Sequence, residues 1–65
     1  MEYTNSKIRE LIAEHIHSER DRAILCRRLI DGISFERLSE EFDLSVRQTK
    51  NIVYQNEEIL YRKLH

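Results

Sequence analysis

The 65-residue chain has no proline and a single glycine, Gly32. Residues that interrupt helices are therefore scarce, and helix is favoured throughout. Segments that alternate apolar and polar residues between turn clusters are nearly absent, so no strands are expected. The lone cysteine, Cys26, has no partner for an internal disulfide. In its helical setting it reads as a small buried apolar residue. No apolar run approaches membrane-spanning length, and MEYTNSKIRE lacks the apolar core of a signal peptide. The expected location is thus cytoplasmic, with no membrane contact. Low-complexity runs are missing too, and ample Ile and Leu with balanced charge indicate a folded domain.

An excess of positive charge is also lacking. The net charge is −1 and the sequence pI is near 6.3. A nucleic-acid binder of this composition must segregate its cations on one face. It would bind weakly per subunit and depend steeply on salt. The parts of an enzyme are likewise missing. There is no glycine-rich phosphate loop, no carboxylate pair in a cleft and no nucleophile beside a histidine, and so short a chain leaves little room for a pocket. His15 and His17 are two residues apart and diverge on a helix. With His65 the only other histidine, neither a metal site nor a cofactor is expected. A dyad of Cys26 with His15 or His17 is a poorer account of that cysteine than burial.

What is present is helical periodicity. Ile8, Leu11, Ile12 and Ile16 make one stripe within residues 1–17, capped by Thr4 or Asn5. Ser18 caps a second helix with acidic residues in its first turn, where the helix dipole favours them. Ala23, Ile24, Cys26, Leu29, Ile30 and Ile33 supply its apolar contacts, and Gly32 ends it. Arg20, Arg22, Arg27 and Arg28 enrich this helix in arginine; some can approach phosphates, but the reading put first is that they solvate an exposed face and pair with Glu19, Asp21 and Asp31.

The organising stretch is SFERLSEEF-DLS-VRQTKNIVY, from Ser34 to Tyr54. It reads as two short helices joined by a corner. Leu38, Phe42, Leu44, Thr49, Ile52 and Val53 point inward, and Ser45 caps the second helix. Val46, Arg47, Lys50, Asn51 and Tyr54 are assigned to the solvent face. The first of the two helices is acidic, with Glu36, Glu40 and Glu41 against Arg37, whereas Ser45 to Gln55 contains Arg47 and Lys50 and no carboxylate. Cations and amides displayed on the second helix of such a pair suit a DNA reader. Arg47 can offer a fork to guanine, Asn51 can pair with adenine, and Gln48 sits between them, partly inward. Lys50 and Tyr54 suit phosphate and Val46 a thymine methyl; Ser45 is counted with them as a DNA-contacting residue, and Arg37, read at the end of the first helix, together with the amides near Ser34 and Phe35, suits a further phosphate.

RAILCRRLIDGISFERLSEEFDLSVRQTKNIV resembles the C-terminal DNA-binding region (region four) of bacterial sigma factors, and is similar to the helix-turn-helix of LuxR-type regulators. The shared parts are Gly32, Ser34, Leu38-Ser39-Glu40-Glu41-Phe42, Asp43-Leu44 and Ser45, and the likeness covers Arg22 to Leu64, about two-thirds of the chain. Three positions depart from the pattern. Ser39 stands where alanine is usual, Asp43 where glycine is usual, and Thr49 where valine or isoleucine is common. Nothing resembles the other sigma-factor regions. The resemblance implies an all-α domain of four to five helices containing a helix-turn-helix and a small bacterial or phage transcriptional regulator that binds double-stranded DNA. A homodimer on a two-fold site fits this implication. The alternative is a protein-interaction module that binds RNA polymerase or a sigma factor through the acidic helix.

The expected organisation is one domain: an N-terminal helix (1–17), a trihelical core (18–55) and a continuation of the last helix (56–65). Ile52 and Ile59 are seven apart, as are Val53 and Leu60, with Leu64 beyond. This spacing fits packing onto the N-terminal helix or a short seam between subunits, with Asn56 as a polar register residue. Tyr54 and Tyr61 are read as surface or interface aromatics.

Overall fold

The computed structural model describes residues 4–64. It contains four α-helices and, among these residues, no strand: α1 Asn5–His15, α2 Glu19–Leu29, α3 Phe35–Glu41 and α4 Val46–Leu64. Residues 1–3, which the expected first helix included, lie outside the described part, as do His65 and the side chain of Leu64. No helix among the described residues is long and apolar enough to cross a membrane.

Each helix begins on a hydroxyl. Thr4 Oγ1 accepts from the Lys7 amide, Ser18 Oγ from Asp21 and Ser34 Oγ from Arg37. Such caps satisfy amides that a helix start leaves without intrahelical partners. At Ser45 the cap is reciprocal: its Oγ accepts from the Gln48 amide at 3.0 Å, while Gln48 Oε1 accepts from the Ser45 amide at 3.0 Å. This capping box satisfies two otherwise orphaned donors.

The helix ends are equally local. Around Gly32, at φ +69°, the Ile33 amide reaches back to the Arg27 carbonyl at 3.1 Å. After α3 the Leu44 amide donates to Ser39 at 2.9 Å and the Asp43 amide to Glu40 at 3.5 Å. Asp43 between them has φ +55°. This is the Schellman termination, with aspartate in the left-handed position glycine usually takes.

Leu11, Ile12, Ile16, Ile24, Leu25, Leu38, Val53 and Leu60 form one buried cluster drawn from all four helices and the start of the α1–α2 link. Each such side chain contributes about 1.5–3 kcal/mol when fully buried. Some expected core positions shift. Ala23 is exposed, because it lies on the side of α2 opposite Leu25, which is completely buried. Cys26 is half-buried at the edge of the stripe rather than buried. Ser39 and Thr49 are buried with their hydroxyls satisfied by the Glu36 and Ser45 carbonyls, at 2.6 and 2.9 Å. Of the histidines, His17 is exposed and His15 half-buried at the end of α1.

Polar pins join the helices. Arg22 folds onto the end of α1, donating to the Ile16 carbonyl and, at 2.9 Å, to the Ala13 carbonyl. Arg27 clasps both carboxylate oxygens of Glu41 on α3 and also reaches Asp31 at 3.2 Å. Asn56, buried in α4, donates to Asp21 of α2 at 3.2 Å and to the Ile52 carbonyl at 2.8 Å. The polar residue of the heptad spacing is therefore used inside one chain.

Candidate functional site

A helix advances about 100° per residue, so Arg47, Lys50, Asn51 and Tyr54 fall within an arc of roughly 100° on α4. All four are exposed. Thr49, Val53, Asn56 and Leu60 lie on the opposite arc and are buried. The two faces follow from one pattern: burying Thr49 and Val53 against the core forces Arg47, Lys50 and Asn51 outward. No carboxylate pairs with Arg47 or Lys50 among the described residues, whose ion pairs lie elsewhere.

The remaining candidates are placed differently. Val46 is half-buried rather than on the solvent face. It stands seven residues before Val53, two turns along the same side, and therefore borders the buried arc. Gln48 is exposed, but its amide oxygen is held in the capping box, leaving only its NH2 group to meet a ligand. Ser45 is exposed and spends its hydroxyl on the cap. Arg37 is exposed in the first turn of α3, not at its C-terminal end, because α3 runs on to Glu41. Among the described residues no group of three His, Cys, Asp or Glu is placed to hold a metal ion.

The arginines of α2 divide by partner. Arg20 pairs with Asp21 at 3.3 Å and Arg27 with Glu41 and Asp31; Arg22 is spent on the α1 carbonyls. Hydrogen bonding to Glu41 raises the Arg27 pKa further above its ordinary value. The same bonds hold the Glu41 carboxyl below the usual 4.5, against a smaller opposing effect of desolvation. Arg28 differs from all three. Its guanidinium carbon lies 4.2 Å from the centre of the Phe35 ring, and its Nη1 donates to the Ile33 carbonyl at 3.0 Å. The Lys50 ammonium lies 5.8 Å from the same ring centre, and Tyr54 meets that ring edge-on at 5.8 Å. Periodicity assigns faces but not neighbours, so it did not bring Arg28 and Phe35 together with Lys50 and Tyr54.

The fold thus defines a small four-helix all-α domain with one cationic, amide-bearing helix face. The chain matches no protein-family model, no curated protein and no solved structure.

Proposed function

We propose that α3, the Asp43 corner and α4 form a helix-turn-helix through which this protein binds double-stranded DNA sequence-specifically, as a small cytoplasmic transcriptional regulator of bacterial or phage type. One observation carries the reading. The first turns of α4 present Arg47, Lys50 and Asn51 outward with no carboxylate partner among the described residues, on a helix whose opposite side is locked into the core. A helix about 10–12 Å across fits the major groove, which is about 12 Å wide. Arg47 and Asn51 have the donor and acceptor geometry for base edges, each good bidentate contact contributing about 1–3 kcal/mol of discrimination. Lys50 is assigned to phosphate, which positions the protein without specifying sequence. No catalytic step, metal or cofactor enters this reading. A homodimer on a two-fold site raises the affinity that one module lacks.

Gel retardation of mixed duplex DNA at low and moderate salt tests it. Retardation that weakens steeply with salt is expected, and none at high protein concentration overturns it. In selected sites, Arg47→Ala relaxes sequence preference and Lys50→Ala weakens all sequences alike; equal effects would refute the division of roles.

The second reading, a module that docks on RNA polymerase or a sigma factor without reading DNA, draws on the exposed carboxylates Glu36 and Glu40 of α3 and Asp43 after it. It predicts no retardation at any salt.

A further inference from the structure

We infer that Arg28 and Lys50, gathered around the Phe35 ring with Tyr54 at the rim, form a built contact for a backbone phosphate of the bound duplex. The inference rests on the DNA reading and extends it to a residue of α2, outside the two helices that carry that reading.

Arg28 is already ordered. Its hydrogen bond to the Ile33 carbonyl and its position over Phe35 fix a side chain that otherwise has many rotamers, so binding an anion costs little further entropy. Its charge has no carboxylate partner among the described residues, unlike those of Arg20 and Arg27. Lys50 is in the same condition. The two cations are no farther apart than the sum of their distances to one ring centre. The face of the aromatic ring attracts each of them, and each carries a positive charge that an anion beside the ring can meet. Tyr54 is 55% exposed beside the same ring, and its hydroxyl has no hydrogen-bond partner among the described residues. A nucleic-acid phosphate is favoured over a carboxylate because Lys50 belongs to the same exposed arc as Arg47 and Asn51. The cluster is therefore continuous with the base-reading surface.

The test has two parts, both on the full chain. In the first, sodium phosphate and sodium acetate at matched ionic strength are titrated while the Arg28 Nε–H and the Phe35 and Tyr54 ring resonances are followed by NMR. Phosphate is expected to give saturable ring shifts that Arg28→Gln abolishes and Arg28→Lys keeps. Acetate giving shifts as large overturns the phosphate assignment. In the second, duplex affinity is measured across salt. Loss of one phosphate contact in Arg28→Gln makes the slope of log K against log salt shallower by about 0.9, whereas Arg28→Lys retains the wild-type slope. An unchanged slope in Arg28→Gln, or equal losses in both variants, overturns the proposal while the DNA reading survives. Saturable phosphate shifts in a chain that binds no duplex overturn the DNA reading and leave the anion site standing. Should Arg28→Gln fail to fold by circular dichroism, Arg28→Met, which keeps an apolar stem over Phe35 while removing the charge, supplies the same slope comparison.

Discussion

Asp43 shows how one residue can be right in kind and still suboptimal. Its φ of +55° is a conformation that side chains other than glycine enter at a cost, although aspartate and asparagine tolerate it better than most. Asp43→Gly removes that cost but adds freedom to the unfolded chain. Set against a left-handed cost of about 1–2 kcal/mol, the added unfolded-chain freedom of about 0.4–1 kcal/mol leaves an expected gain of up to about 1 kcal/mol in urea unfolding, with Asp43→Val moving the other way. A loss on glycine substitution would mean that the aspartate carboxylate contributes something the geometry does not display. The corner was legible through the resemblance, since Asp43 stands where the helix-turn-helix pattern usually has glycine, two residues before a capping serine. Val46 was not read correctly. Its spacing from Lys50 suggested the solvent side, but its spacing from Val53 places it at the border of the core.

At the scale of the helix, the capping box controls how firmly α4 starts. Ser45→Ala removes a side-chain acceptor for the Gln48 amide and is expected to cost about 0.5–2 kcal/mol. Gln48→Ala removes only the reciprocal half, so its effect on urea unfolding should be smaller. The reverse order would show that the glutamine carries the cap. The contact of α2 with α3 is controlled by charge. Because the Glu41 pKa is lowered on folding, its contribution is present above the usual 4.5 and is lost as pH falls through the folded value. Unfolding measured from neutral pH downwards should show stability falling across that acidic window, and Glu41→Gln should flatten this part of the profile. An unaltered profile would remove Glu41 from the account. Helix starts at Thr4, Ser18 and Ser45 and the stop at Gly32 were readable because caps are local. The Arg27–Glu41 and Asn56–Asp21 pairs were not, since each joins residues far apart in sequence whose meeting depends on how the helices cross.

Across the whole molecule, which measures 31 × 19 × 18 Å, α4 has two duties. Its first turns carry the proposed reading face, and its second half closes the core through Asn56 and Leu60. Asn56→Ala is expected to cost about 1–3 kcal/mol, since it leaves part of the Asp21 carboxylate without a donor in a half-buried site. Chemical denaturation measures this. On the proposed function, the same variant should also bind DNA more weakly, although Asn56 faces away from the proposed reading arc. Unchanged stability would reduce the hydrogen bond to an ornament of the packing.

That last expectation follows from α4 being unbroken from Val46 to Leu64. A continuous rod has no joint at which an angular error can be absorbed. Arg47 stands roughly 13 Å up the axis from Asn56, so a swing of about ten degrees about that pin displaces it by roughly 2 Å, more than a hydrogen bond to a base edge tolerates. Aim at one end of the lever is thus governed by an amide clamped at the other.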